Sequence, residues 1–343
     1  EVFRRATDIA LQARAGEQAL TAVQAWRAAL PESTEALRYQ AQLLVAMNRP
    51  AESQEPLAEL LRLTPVPQRP ALITALPRFF ARSADRKASA ELVAQVLKPY
   101  LDEPGTQTAA RVALGRSWLA ALDTGKALDL ARRAHAADPT AEGPALLALE
   151  MLPGTPAAEA VVSGYIVARP DDINMRLLYV RSLTGSQRYA EAIDHLERLT
   201  KSDPQLAPPW LTLGALHLEL KHPKDATAAL LQYVKLVEGG SPVTVGAPAP
   251  AQQDGEEAPA STSQALTQAW LLLAQAAEEE KDYPAAEAWL AKIDNPQRAL
   301  EVQLRRASML ARQDRLNEAR ELIRRVPEQT PADARAKLLA EAQ

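Results

Sequence analysis

The chain has 343 residues, of which 47% are hydrophobic but 4% aromatic, so its apolar content is mostly small and aliphatic. Ala and Leu favour helices, and the scarcity of β-branched residues leaves little material for a sheet. Acids and bases are intermixed at a net charge of −4, which excludes the basic stripe that binds nucleic acid. Without cysteine, the chain forms no disulfide and no thiolate metal site.

Prolines mark a repeat along the chain. Six of them recur at intervals near 34 residues, and each follows a segment with helical apolar periodicity, where the missing N–H costs nothing. They are Pro31, Pro65, Pro104, Pro139, Pro170 and Pro204. The pattern predicts an all-α array of about nine helix pairs plus a trailing helix. Pairs one to seven fall within residues 1–238, and pairs eight and nine within residues 264–343.

Two intervals depart from the period. Residues 66–103 are predicted to hold two helices in a longer interval, with Pro77 interrupting the first of them. Residues 141–168 are shorter than a full repeat and carry the sequence PGTP as the turn between their helices. Both intervals are still predicted to be helix pairs.

Two further segments are assigned by composition and period. Residues 239–263 are rich in Gly, Pro, Ala and Ser and are predicted to be a disordered insertion after the seventh pair. The insertion is either a tolerated surface loop or a tether that docks a partner. Residues 332–342 resemble the first helix of another, truncated pair, so the chain is expected to be a piece of a longer protein.

Small residues recur where two helices of a pair must approach closely. The clearest copy has Trp210, Leu213 and Gly214 in its first helix, with Ala226 twelve residues after the glycine. The positions predicted to support this packing are Gly115, Ala127, Trp210, Gly214, Ala226, Trp270, Ala286 and Ala319. Over nearly the full chain, these copies resemble the tetratricopeptide (TPR) repeat family.

The TPR resemblance implies a right-handed superhelical α-solenoid that binds other polypeptides on the concave side, which the first helices line. Arginines and amides there suit carboxylates and peptide backbones. In this register the candidate groove residues are Arg38, Gln42, Arg116, Asn174 and Arg181. The alternative is that these are ordinary solvated side chains paired with neighbouring acids. Val112, Leu177 and Leu211 stand where chaperone-binding members carry a clamp lysine, which disfavours chaperone tails.

No pattern in the sequence indicates catalysis. The four histidines (His135, His195, His217 and His222) show neither HxH nor HExxH spacing, so no metal site is predicted. No phosphate-binding loop or nucleophile motif is present, and the glycines are explained by turns and close packing. We therefore expect a protein that is not an enzyme, takes no cofactor or small molecule, and has protein partners.

A finer resemblance concerns the opening segment, EVFRRATDIALQARAGEQALTAVQAW. It resembles the start of the repeat region in Gram-negative outer-membrane TPR lipoproteins, which act as adaptors for a periplasmic carboxyl-terminal processing protease. That resemblance implies a periplasmic, outer-membrane-anchored adaptor that activates the protease and presents cell-wall hydrolases to it. The lipid anchor would lie outside this segment. The alternatives are a general cytoplasmic TPR scaffold and an accessory domain of a larger enzyme.

Overall fold

The computed structural model describes residues 2–242, 262–294 and 298–325. Within them every regular element is helical and no strand occurs, which confirms the predicted all-α fold. The α-helices are α1 (Val2–Gln12), α2 (Gly16–Ala29), α3 (Thr34–Ala46), α4 (Gln54–Leu63), α5 (Arg69–Phe79), α6 (Arg86–Leu97), α7 (Gln107–Ala120), α8 (Thr124–Ala137), α9 (Glu142–Met151), α10 (Glu159–Ala168), α11 (Ile173–Gly185), α12 (Tyr189–Ser202), α13 (Ala207–Glu219), α14 (Pro223–Glu238), α15 (Thr262–Glu279), α16 (Tyr283–Leu290), α17 (Ala299–Arg312) and α18 (Leu316–Arg325). The predicted trailing helix at 332–342 lies outside the described residues.

Consecutive helices pack as pairs, from α1 with α2 to α17 with α18, so nine predicted pairs are present in the described part of the chain. Each pair then stacks on the next within its unit. Second helices contact the following first helix, as α8 does α9, and first helices contact one another, as α7 does α9 and α13 does α15. The six repeat prolines follow α2, α4, α6, α8, α10 and α12, as predicted.

Small residues lie where the helices approach most closely. A Cβ atom on Gly214 would lie 2.5 Å from Leu230 Cγ and 3.2 Å from the carbonyl oxygen of Ala226, both on the partner helix α14. At Gly115 the tightest neighbour is in the next pair, because a Cβ there would lie 2.5 Å from Leu147 Cδ2 on α9. The alanines predicted at the facing positions are all buried. They are Ala127, Ala226, Ala286 and Ala319.

A recurring turn joins the two helices of the regular pairs. In α7–α8, Leu122 has a φ of 63°, and the N–H of Asp123 donates to the carbonyl oxygen of Trp118 at 2.9 Å. This is the Schellman arrangement, in which one left-handed residue lets the next N–H reach a carbonyl five residues back. The left-handed residues of the described pairs are Arg14, Asn48, Leu122, Gln187, Lys221, Lys281 and Asp314.

The two pairs predicted to be irregular, α5–α6 and α9–α10, are the described pairs without this turn. Helix α5 contains Pro77 and ends two residues later, since a proline removes a backbone donor from the helix. In place of the Schellman turn, Asp85 precedes α6 and caps it, because its carboxylate accepts the N–H of Ala88 at 2.9 Å. A short 3-10 turn, Pro156–Ala158, precedes α10. Pro77 therefore lies near the C-terminal end of α5, and the PGTP sequence lies between α9 and α10.

The chain forms two compact units, Glu1–Met175 and Arg176–Gln343. Residues 239–263 fall inside the second unit, and 243–261 of them lie outside the described residues. Helices on either side of this interval pack together, because Leu230 and Tyr233 of α14 share one apolar cluster with Ala269 of α15. The interval therefore does not separate two domains.

None of the described helices combines the length and the apolarity that crossing a bilayer requires.

Candidate functional site

In both units, one repeat position faces the space between neighbouring first helices. Gln42 follows the small residue Ala41 and lines a groove between α3 and α5 in the first unit. Gln275 follows Ala274 and lines a cleft between α15 and α17 in the second unit. Side chains at this position are therefore available to a molecule that lies across the first helices.

We call the space between α3 and α5 the arginine groove; its volume is about 550 Å³. Its apolar lining includes Val45 from α3 and Ala75 and Phe79 from α5. Two arginines, Arg78 and Arg82, complete its α5 side. Arg78 lies on α5, and Arg82 lies in the turn three residues beyond its end. The groove thus combines apolar surface with positive charge.

The arginines at this groove are solvent-exposed and available. Arg38 lies one turn before Gln42 on the same face of α3, and Arg78 and Arg82 lie on the opposite side of the groove. None of the three has an ion pair or a side-chain hydrogen bond within the described residues. A guanidinium in this state can form a bidentate pair with an incoming carboxylate without first breaking an internal contact.

We call the space between α15 and α17 the acid–arginine cleft; its volume is about 560 Å³. Glu278 lies against it with 7% of its surface exposed, and its Oε1 atom is 3.9 Å from Arg305 Nη1. Burial raises the pKa of the Glu278 carboxyl, and the positive charge of Arg305 partly offsets that rise. At one edge, Lys221 Nζ donates to Glu279 Oε1 at 3.0 Å. The charges of this cleft already face one another.

The other three candidate groove residues lie apart from both spaces. Arg116 on α7 makes an ion pair with Glu150 on α9, with Nη2 and Oε1 3.4 Å apart. This contact is of the kind expected if such arginines pair with neighbouring acids. Asn174 and Arg181 are exposed on α11, in the first and second units respectively. The five candidates therefore do not form one site: Gln42 lines the arginine groove, and Arg38 lies one turn before it on α3.

The tryptophans predicted to support packing are half-buried. The indole N–H of Trp210 donates to the carbonyl oxygen of Pro204 at 3.1 Å, which ties α13 to the turn that precedes it. Trp270 packs on the apolar cluster that contains Tyr233 and Ala269. Both residues contact the interior of the second unit.

Arg78 and Arg82 were not among the sequence candidates. The tetratricopeptide register does not extend through residues 66–103, where the interval is longer and Pro77 ends the helix early, so no groove position was assigned there. The available signal was the presence of two arginines close to Pro77, four residues apart in the sequence.

No family model matches the chain, and no curated protein sequence matches it. Solved structures do match it, at low identity. The C-terminal part of a TPR repeat-containing protein from Cytophaga hutchinsonii is 14% identical with a TM-score of 0.46, and the alignment covers 76% of this chain and 97% of that one.

A tetratricopeptide repeat protein from Parabacteroides merdae is 15% identical with a TM-score of 0.35, covering 84% of this chain and 98% of that one. PilW, described as a widely conserved type IV pilus biogenesis factor, is 16% identical with a TM-score of 0.36, covering 68% and 95%. The solved structures that match therefore include TPR repeat proteins. The helix-pair fold itself rests on the packing of this chain's own helices.

Proposed function

We propose that this protein is a non-enzymatic interaction scaffold whose arginine groove binds an acidic segment of a partner protein. The observation that carries the proposal is an apolar groove lined by Arg78 and Arg82, with Arg38 one turn before Gln42. None of these exposed arginines has an ion pair among the described residues. Carboxylates of the partner would pair with the guanidinium groups, and an apolar side chain between them would enter the groove beside Phe79.

The charge pattern favours the arginine groove over the acid–arginine cleft as the site for a partner. A partner that entered the acid–arginine cleft would have to displace the Glu278–Arg305 contact, which is largely withdrawn from water. In the arginine groove a ligand displaces solvent from exposed cations instead. Binding there would strengthen as salt is lowered, because the interacting charges are exposed.

The finer proposal is an adaptor of the bacterial envelope that activates a periplasmic carboxyl-terminal processing protease and presents cell-wall hydrolases to it. It is supported by the resemblance of the opening segment to outer-membrane TPR lipoproteins. Under this proposal the protein is periplasmic and held at the outer membrane by a lipid anchor outside this segment. A cytoplasmic scaffold and an accessory domain of a larger enzyme are the competing assignments.

The groove is tested with a fluorescent peptide in which Glu alternates with Leu, titrated with the purified chain and followed by anisotropy. Arg78→Glu and Arg82→Glu should each weaken binding by about tenfold or more, because each replaces an attraction by a repulsion. Arg5→Glu is the matched control, since Arg5 is an exposed arginine of the same unit that lies on α1. Equal affinity in all three variants would remove the groove proposal.

The envelope assignment is tested separately by affinity capture from an envelope extract and from a cytosolic extract. Recovery of a processing protease or a cell-wall hydrolase that Arg78→Glu fails to recover would support it. Recovery of cytosolic proteins alone would contradict the envelope assignment and leave peptide binding by the groove intact.

A further inference from the structure

Three potential metal ligands meet at the turn between α13 and α14. His217 lies near the end of α13, His222 precedes α14, and Asp225 lies in its first turn. One possible ligand atom from each lies within 4.8 Å of the other two. The sequence spacing, five and then three residues, is neither HxH nor HExxH. The fold creates the cluster by turning α14 back against α13.

His217 is held in place and is short of a partner. It is 8% exposed, and its Nδ1 atom is buried without a hydrogen-bond partner among the described residues. Buried polar atoms are nearly always paired, so an orphaned ring nitrogen needs an explanation.

The ring of His222 is likewise not used to build the turn. The corresponding residues of two other pairs, Asp123 and Asp282, each accept a backbone N–H and so cap the helix that follows. His222 makes no such side-chain capping bond, and its backbone N–H alone closes the turn by donating to the His217 carbonyl at 2.8 Å. Its imidazole is therefore free to turn toward a ligand.

The same corner holds different chemistry in the other described pairs. In α7–α8 the positions of His217 and Asp225 are taken by Trp118 and Lys126, and the ammonium lies 3.6 Å from the ring centroid. In α3–α4 the positions of His222 and Asp225 are taken by Arg49 and Glu52, which form an ion pair. The corner of α13–α14 is thus a side-chain contact site in which two imidazoles and a carboxylate replace these groups.

We propose that His217, His222 and Asp225 bind a divalent first-row transition metal ion, with Zn²⁺ as the ion that suits them best. Imidazole nitrogen and carboxylate oxygen are the donors that zinc takes in sites with three protein ligands, with a fourth position left to water or to a partner's side chain. Mg²⁺ and Ca²⁺ prefer all-oxygen sites and are not expected to bind.

The three ligand atoms must move slightly closer together to coordinate one metal ion. Ligand atoms around a tetrahedral zinc are about 3.3 Å apart, given metal–nitrogen distances of about 2.0–2.1 Å. The exposed side chains of His222 and Asp225 can close the difference by rotation, while the buried His217 stays in place. Lys221 does not fill the site, because its ammonium is bonded to Glu279 on α15.

The test uses the tag-free chain, stripped of metal with a chelator and titrated with ZnCl₂ by calorimetry and with CoCl₂ by visible absorption. One equivalent should bind, and the cobalt d–d bands should have the intensity of a four- or five-coordinate site. His222→Ala and Asp225→Ala should each weaken Zn²⁺ binding by more than about tenfold. Both residues are exposed, so circular dichroism should show unchanged folding.

Asp194→Ala is the matched control, because Asp194 is an exposed carboxylate on the second helix of the preceding pair. It should bind Zn²⁺ as the unaltered chain does, and MgCl₂ should produce no heat in any variant. The inference is overturned if no stoichiometric binding occurs, or if His222→Ala and Asp225→Ala bind as tightly as Asp194→Ala. If His222→Ala and Asp225→Ala still bind the Glu–Leu peptide, the metal site and the arginine groove are independent.

Discussion

The arginine groove of the first unit and the acid–arginine cleft of the second lie at the same place in their helix pairs, between neighbouring first helices. They differ in how their charges are held. Around the groove, Arg38, Arg78 and Arg82 are exposed and have no ion pair among the described residues. In the cleft, Arg305 lies against the buried Glu278, and Lys221 against Glu279. The corresponding space therefore holds arginines without an ion pair among the described residues in one unit, and an arginine and a lysine that face acids in the other.

The comparison first depends on the close packing of helix pairs, which both units share. Gly214→Leu should lower the free energy of unfolding by about 3 kcal/mol, because a side chain there must displace Leu230 and the backbone of α14. Urea denaturation measures the change. Gly185→Leu, in the same unit, is the control, since no atom lies within 4 Å of a Cβ built there. Equal curves for both variants would mean that the repeat register is wrong.

Removing one arginine from each space should separate their roles directly. Arg305→Ala should lower the free energy of unfolding by about 2 kcal/mol, because it leaves the buried Glu278 carboxylate without its cation. Arg78→Ala should change stability by less than about 0.5 kcal/mol, as expected for an exposed residue without partners. The comparison fails if the two variants unfold at the same urea concentration.

The cleft should also show a pH dependence. The pKa of Glu278 is raised in the folded chain, so its favourable contribution is present at low pH and is lost as the pH rises through the folded pKa. Glu278→Gln removes the ionisation and should raise the melting temperature at pH 7, by less than Arg305→Ala lowers it. The gain should shrink as the pH is lowered toward 4. A gain that grows on acidification would contradict this assignment.

The smallest expected change in stability concerns the Schellman turn, which occurs in both units. Leu122 is 88% exposed and holds a φ of 63°, which is unfavourable for a residue with a Cβ. Leu122→Gly should raise the free energy of unfolding by about 0.5 kcal/mol, after the extra entropy of glycine in the unfolded chain is subtracted. Leu122→Ala keeps the strained backbone conformation and should leave the free energy of unfolding nearly unchanged. Thermal melts of the two variants measure this difference.

Much of the fold follows from local patterns in the sequence. The twelve-residue spacing of Gly214 and Ala226 and the prolines after second helices locate the pairs, because both report on contacts between sequence neighbours. Pro77 likewise marks the irregular third pair, since its effect on a helix is local. The handedness of the superhelix stays a prediction.

The candidate sites were less predictable, because they depend on contacts between elements. Gln42, one of the sequence candidates, lines the arginine groove, whereas Arg78 and Arg82 were not predicted, because the repeat period is irregular in the third pair. The cluster of His217, His222 and Asp225 was missed because its spacing becomes close only after α14 folds back on α13. Side-chain convergence across a turn depends on turn geometry, which a search for fixed metal motifs does not evaluate.

The Schellman turn has a consequence for how such a chain can change. Backbone hydrogen bonds close the turn in all its described copies, whether the residue that follows it is Arg49, Asp123 or His222. The backbone of the turn therefore does not depend on the side chain at this corner, although Asp123 and Asp282 add a cap to the helix that follows. New recognition or metal chemistry can arise there by single substitutions, one pair at a time, while the array keeps its backbone.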